Sequence, residues 1–333
     1  MNKICFFRTL MAIVIMFTTG TDAQAQGLKG LVNKVKDKTG QTATKEGGGA
    51  VAGKAVMLKQ PWSVGENGTG SVQATFADGV LTISGTGRMK NFDVTMHSDN
   101  RPWGAHAKDI TTVIVEEGVT RVSSPAFYRC ENITSVSLPS TLTSIGGSAF
   151  YGCKSLPTIT LPKSLTDFET GQIQTDQGTK ERAGLFEQCT TLSEIKVEAG
   201  NAKYKAIDGI LYEFFSNKWR LKAYPAGRSA TKFTIPDNTP VIQTGAFASC
   251  QAIKEVILPA SCGTIDEVAF KDCVNLQSLT MNQSSGVVSL SRHAFQGVEM
   301  TKVKFIVPSK LLNDYKTRPD YEWRDWADQF TGK

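Results

Sequence analysis

Ala126-Phe127-Tyr128-Arg129-Cys130 returns 23 residues later as Ala149-Phe150-Tyr151-Gly152-Cys153. The same phrase recurs, again with a 23-residue offset, as Ala246-Phe247-Ala248-Ser249-Cys250 and Ala269-Phe270-Lys271-Asp272-Cys273. Leu185-Phe186-Glu187-Gln188-Cys189 and Ala294-Phe295-Gln296-Gly297-Val298 are looser copies, so six coils are visible. Self-similarity at a fixed short period is the signature of stacked repeats, because a unit this small cannot bury its apolar face alone.

Between the phrases runs a second regular feature. Ile133, Val136, Leu138 and Pro139 are matched by Leu156, Ile159, Leu161 and Pro162, and by Ile253, Val256, Leu258 and Pro259. Apolar residues two apart share one face of a short strand. Proline then ends the strand, since it has no N–H for a ladder. Leu142, Leu165 and Cys262 are each followed three residues later by Ile145, Phe168 and Ile265, marking the return side of the coil. The pattern predicts a mainly β, right-handed leucine-rich-repeat solenoid of about 23-residue coils over residues 107–308, with equivalent residues stacked about 4.8 Å apart. The phenylalanines are expected to form a ladder between the two sides.

A solenoid needs its ends covered. In 61–106, alternation in Val72–Phe76 and Val80–Ile83 with turns at Asp78-Gly79 and Gly85–Gly87 predicts a small N-terminal β cap. In 309–333, Trp323, Trp326 and Phe330, preceded by Leu311, Leu312 and Tyr315, are spaced for one face of a C-terminal helical cap. Two departures from the period predict insertions. Thirteen extra residues lie near 169–182, and the 61 residues from Phe186 to Phe247 leave room for a coil plus a hairpin near 203–228. That hairpin is read as Ile210–Phe215, a turn Ser216-Asn217-Lys218, and Trp219–Tyr224.

Leu156 to Pro162 and Leu142 to Cys153 closely follow the repeat Leu-x-x-Ile-x-Leu-Pro, Leu-x-x-Ile-Gly, Ala-Phe-x-x-Cys, and at these residues the chain resembles the BspA-like, or Treponema pallidum-type, leucine-rich repeats. The resemblance covers about residues 61–320. It extends to Asp208-Gly209-Ile210-Leu211-Tyr212 with Tyr224-Pro225, like the family's inserted hairpin, and to Ser84-Gly85-Thr86-Gly87 with Pro102-Trp103, like its N-terminal segment. It implies an exported protein that binds proteins or host surfaces.

The N-terminus has the layout of a secretory signal peptide over 1–25: Lys3 and Arg8, an apolar run Leu10–Phe17, and Ala23-Gln24-Ala25. No later stretch reaches the roughly 20 apolar residues of a membrane span, so a soluble periplasmic, surface or secreted protein is expected. Residues 26–60 read as a flexible basic linker rich in Gly, Lys, Thr and Ala. Leu28, Leu31, Val32 and Val35 are spaced for a short basic helix that is marginal by itself. The full chain has 37 basic and 31 acidic residues; without the signal segment and the linker the balance is 28 against 28. A nucleic-acid binder gathers its cations on the folded surface, so no nucleic-acid partner is expected.

Residues that carry chemistry do not converge. The six cysteines after the signal segment are even in number, which in an exported protein suggests disulfides. Five of them hold the same repeat position and Cys262 replaces an apolar residue, so they read as small buried free thiols. His97, His106 and His293 have no Cys or His at ligand spacing, so no metal and no cofactor is expected. Gly65–Gly70 reads as a turn. Glu116, Glu117 and Asp167 could in principle form a glycosidase pair, but no nucleophile or phosphate motif accompanies them. The expectation is a non-enzyme.

What remains is the outward face of the sheet, where strand alternation places Thr112, Ser135, Ser137, Thr158 and Thr160 in the early coils. In the later coils it places Glu194, Lys196, Lys232, Thr234, Glu255, Ser278, Thr280, Lys302 and Lys304 there. This surface suits many modest hydrogen bonds to a host or bacterial protein. A glycan is the alternative, motivated by the tryptophans, and a hydrolase with an unrecognised site a third reading.

Overall fold

The computed structural model describes residues 61–333 apart from 67–70, 96–97, 171, 175–179, 292 and 318–320. The signal segment and the basic linker lie outside the described residues. The repeats form a β-solenoid of about eight turns with few helices. Each coil contributes one strand to a front sheet and a shorter one to a return side.

The front sheet begins antiparallel, with Trp62–Ser63 on Val72–Ala77 and Val72–Ala77 on Val80–Gly85. It then turns parallel: Val80–Gly85 pairs with Thr112–Val115, and that strand with Ser135–Ser137. Thr158–Leu161 pairs with Glu194–Val197. Beyond the insertion, Lys232–Thr234, Glu255–Leu258, Ser278–Met281, Lys304–Val307 and Phe330–Gly332 follow in parallel. The return side runs Gly87–Arg88, Val119–Val122, Ser144–Ile145 and Asp167–Phe168. It resumes with Lys218–Ala223, Val241–Ile242, Thr264–Ile265 and Ser289–Leu290. The inward positions of the front strands, such as Val113, Ile159, Val256, Leu279 and Phe305, are fully buried.

The phenylalanine ladder stands between the two sides. Phe127 lies 5.4 Å from Phe150 and Phe150 6.1 Å from Phe186, ring centre to ring centre. Phe247, Phe270 and Phe295 stack at 4.9 and 5.2 Å, within 8° of parallel. The interval between Phe186 and Phe247 holds one further rung. Tyr224 stacks on Phe247 at 5.1 Å, and its amide donates to the Ala246 carbonyl at 2.7 Å. The Phe127 amide treats Ala149 in the same way, as Phe247 treats Ala269. Tyr224 precedes Phe247 by the same 23 residues. It escaped notice because Pro225-Ala226-Gly227 follows it where the phrase carries polar residues and cysteine.

Backbone geometry explains the phrase's fourth position. Arg129, Gly152, Gln188, Ser249, Asp272 and Gly297 all adopt a positive φ, between 53° and 78°. Only two of these six are glycine, the residue that adopts such a φ without cost. Two coils also approach closely at Gly245, where a Cβ would lie 2.3 Å from the Gly184 Cα. Any side chain there would push the two coils apart.

Both ends are closed by polar side chains as well as apolar ones. At the front, Trp103 Nε1 donates to the Ala126 carbonyl at 2.9 Å, and Arg101, paired with Asp99, donates to the carbonyls of Ala126 and Tyr128. These side chains stand where a preceding coil would supply backbone donors. At the back, helices Leu312–Thr317 and Tyr321–Arg324 fold over the last coil, and Trp323 Nε1 donates to the Val288 carbonyl at 2.7 Å. The spacing that predicted one helical face for Trp323, Trp326 and Phe330 is corrected here. Phe330 belongs to the strand Phe330–Gly332, which pairs with Lys304–Val307. Without it Lys304–Val307 would be an open edge whose backbone groups lacked partners.

Candidate functional site

On the front sheet, strand register sorts the outward residues into two rows. Thr112 is opposite Ser135, and Thr158 opposite Glu194; after the insertion Lys232, Glu255, Ser278 and Lys304 follow in order. The second row runs Ile114 and Ser137, then Thr160 and Lys196, then Thr234, Ile257, Thr280 and Ile306. Twelve of the thirteen predicted face residues from Ser135 to Lys304 therefore lie in such rows, which are carried by three separately hydrogen-bonded groups of front strands. Lys302 does not. It sits in the short 3-10 turn Met300–Lys302 and pairs with Glu299 at 2.7 Å, while the strand starts at Lys304. Alternation counted backwards from Lys304 missed this, because the chain turns before the strand begins.

The charges in these rows offset one another locally. Glu194 and Lys196 are 3.3 Å apart, and Lys232 and Glu255 3.2 Å. Only Lys304 remains outside such a pair among these residues of the face. The second row also carries Ile257 and Ile306, half-buried, beside its hydroxyls.

The cysteines have a role beyond filling space. All six are buried and free. The Cys153 thiol reaches the Phe127 carbonyl at 3.4 Å, Cys189 that of Phe150 at 3.0 Å, and Cys273 that of Phe247 at 3.0 Å. Cys250 makes the same contact with the hidden rung, Tyr224, at 3.6 Å. The carbonyls of Phe127, Phe150 and Phe247 already accept from the amides of Cys130, Cys153 and Cys250 in their own coils, and the thiol of the next coil is a small donor that reaches the second lone pair. Burial pushes these thiols up, Cys130 to about 11 and Cys189 and Cys262 to about 12. Thiolate is the reactive form. The folded protein at pH 8 should therefore leave all six unmodified by a thiol reagent over minutes, and guanidinium should expose all six; rapid reaction in the native state would contradict the assignment.

Of the scattered carboxylates, Glu117 is tied to the backbone. Glu117 accepts from the Ser140 amide and hydroxyl, both at 3.0 Å, and the backbone bond holds its carboxyl below the usual range. Asp167 lies on the return side, 4.0 Å from Lys203. Among the described residues no group of three or more His, Cys, Asp or Glu side chains is placed to hold a metal ion. No described helix is long and apolar enough to cross a membrane.

The tryptophans that suggested a glycan are mostly committed to packing. Trp103 and Trp323 are buried, and Trp326 lies against Phe295 at 5.5 Å and Phe305 at 6.0 Å. Trp219 is different. It lies on the inserted hairpin, formed by Tyr204–Ile207, Ile210–Phe215 and Lys218–Ala223, next to the exposed Phe214 and Phe215. The insertion near 169–182 is a smaller hairpin, with Gln172–Gln174 on Lys180–Arg182. A cavity of about 160 Å³ lies beside it, with Lys222, Gln243, Glu169 and Arg182 among its walls. Its polar groups are already paired: Lys222 with Gln243 at 2.9 Å, Arg182 with Glu267 at 2.9 Å, and Glu169 with the buried Arg121.

Comparison with solved structures finds leucine-rich repeat proteins of bacteria. One from Eubacterium ventriosum is 24% identical, covering 72% of this chain and 76% of that one, with a TM-score of 0.42. A leucine rich cell surface protein from Faecalibacterium prausnitzii is 20% identical over 77% and 90%, with a TM-score of 0.41. The T. pallidum leucine rich repeat protein is 17% identical over 67% and 84%, with a TM-score of 0.29. No curated protein matches. The family description "BspA type Leucine rich repeat region" matches in six copies across residues 105–223 and 220–314, well over half of the sequence, and the chain belongs to that family.

Proposed function

We propose that this is an exported, non-catalytic repeat protein that holds another protein on the outward face of its front sheet. The observation that carries the reading is the pair of outward rows, in which hydroxyls alternate with locally neutralised charges and half-buried isoleucines along strands of fixed spacing. A rigid surface of that kind offers a partner many modest hydrogen bonds and some apolar contact, and no broad field that would favour a polyanion. Repeat solenoids commonly use such extended faces for partners. Export rests on the Lys3 to Ala25 segment, and a periplasmic, surface or secreted location follows from it.

The test uses the mature chain with Ser137, Thr160 and Thr280 all changed to Arg. Wild-type protein should recover a partner from host or neighbouring bacterial surface proteins. The purified partner should bind the triple variant at least about tenfold more weakly, at unchanged circular dichroism. Equal binding by both proteins would remove the front sheet from the reading. A positive glycan array with no protein recovered would replace it with carbohydrate binding.

A further inference from the structure

Among the described residues the exposed large apolar side chains are Ile207, Phe214, Phe215 and Val274, and three of the four belong to the inserted hairpin. Phe215, at 50%, is the most exposed aromatic of these. The hairpin's edge strand pairs as far as Tyr204 with Glu213, and the Phe214 amide still donates to the Lys203 carbonyl at 2.7 Å, so Phe215 with its partner Lys218 runs past it. Ser216 and Asn217 close the tip, with φ of 49° and 59°. That is a two-residue turn with both central φ positive, which matches strand twist and makes a stiff tip. Lys218, expected in the turn, is instead in the strand and paired with Phe215.

Each face of the tip carries an aromatic ring with a cation over it. Lys205 Nζ lies 4.0 Å from the centre of Trp219, which packs on Phe214 at 5.1 Å. On the other face the Arg220 guanidinium lies 3.7 Å from the centre of Phe215. The carboxylate on the strands nearest the tip, Glu213, is turned inward to Gln243 at 2.7 Å and Lys203 at 3.5 Å, and Asp208 lies in the turn at the opposite end of Ile210–Phe215. Among the described residues no ion pair joins Lys205, Lys218 or Arg220 to a carboxylate. The tip thus presents three cations and three rings, and no exposed acid, in a few residues. Aromatic residues with arginine are the composition that concentrates binding energy at protein interfaces.

We propose that this hairpin tip docks an acidic protein segment that also carries apolar side chains. Its carboxylates pair with Lys205, Lys218 and Arg220, and its apolar groups cover Phe214, Phe215 and Trp219. Charge complementarity selects an anionic occupant. An anionic bilayer is the poorer fit because the apex is Ser216-Asn217-Lys218, so a stiff turn would carry polar groups into the membrane ahead of the rings. A sugar would have to displace the cation from the ring face it stacked on. The proposal shares the protein-binding reading above only in its class of partner. The hairpin continues the return side, through Lys218–Ala223 and Val241–Ile242, whereas that reading concerns the front sheet.

The test measures fluorescence anisotropy of a short labelled peptide in which Asp and Glu alternate with Leu and Phe, added to the mature protein. A peptide with Ser in place of Leu and Phe, one with Lys in place of the acids, and vesicles of mixed phosphatidylserine and phosphatidylcholine are run beside it. The acidic apolar peptide should bind, more weakly as salt rises. Trp219→Ser and Phe215→Ser should each weaken binding by about tenfold, as should the double variant Lys205→Glu, Arg220→Glu. Their thermal unfolding should match wild type. The front-sheet triple variant should bind the peptide as wild type does, so the two proposals fail separately. No binding, or equal binding by the hairpin variants, would overturn the proposal; so would equal binding of the Ser peptide, or retention on vesicles lost in the hairpin variants without peptide binding.

Discussion

Replacing Phe247 by Ala lowers the stability of the protein by about 3–5 kcal/mol, read as a fall in the guanidinium midpoint at unchanged slope. The ring is fully buried, between Tyr224 at 5.1 Å and Phe270 at 4.9 Å. Neither neighbour can move into the space left, because their amides are tied to the next coils, Tyr224 to Ala246 and Phe270 to Ala294, each at 2.7 Å. A cavity that cannot collapse is the expensive kind. The loss also breaks the stack next to the insertion, where the described core divides into two clusters that meet in the hairpin, one reaching Tyr204, Leu211 and Ala223 and the other starting from Ile210, Tyr212 and Tyr224. In a repeat array each coil is stabilised mainly by its neighbours, so the damage should appear first in the coils after Tyr224. Phe215→Ala is the internal control. Its ring is half exposed, and the same truncation there should change stability by no more than about 0.5 kcal/mol. Similar losses at both positions would contradict the ladder.

Glu187→Ala should cost a comparable amount, about 3–5 kcal/mol, for an electrostatic reason. Glu187 lies in the looser phrase copy and is essentially without solvent contact, with Lys271 Nζ 3.0 Å from its carboxylate. Its second oxygen accepts from the Gly184 amide at 3.0 Å. Removing the carboxylate takes the Glu187 charge away from an ammonium that is itself buried. The reciprocal change, Lys271→Met, has a pH signature. Burial already raises the Glu187 carboxyl above its ordinary range, and losing Lys271 removes the largest influence acting to lower it. A carboxyl whose folded value is raised opposes folding when ionised. That penalty is absent below the unfolded value and grows as pH rises through the folded one. Lys271→Met should therefore be more stable, relative to wild type, at pH 5 than at pH 8. A difference from wild type that did not change with pH would show that the carboxylate had found another partner.

The periodic part of the fold was legible because every coil meets the same surroundings. Phe127, Phe150, Phe247 and Phe270 each face a copy of themselves one coil away, so one spacing in the chain encodes one contact in space. The cysteines were read correctly as buried, but their donation to the preceding phenylalanine carbonyl was not. That bond depends on where a carbonyl of the neighbouring coil, already accepting from the amide of its own cysteine, has a second lone pair within reach, which residue spacing does not record. Tyr224 was missed for a related reason: it occupies a phenylalanine's place while the residues after it depart from the phrase.

By itself, then, the sequence determined the solenoid, the burial of its ladder and the existence of the two insertions, since these follow from period and alternation alone. Tertiary structure decided what lies at the breaks in the period. It placed Phe330 in a strand to close an open edge, moved Lys302 out of the face, paired the front-sheet charges and gathered Phe214, Phe215, Trp219, Lys205 and Arg220 at one tip. Those outcomes depend on contacts between segments that have no repeated counterpart, so no regularity along the chain could announce them.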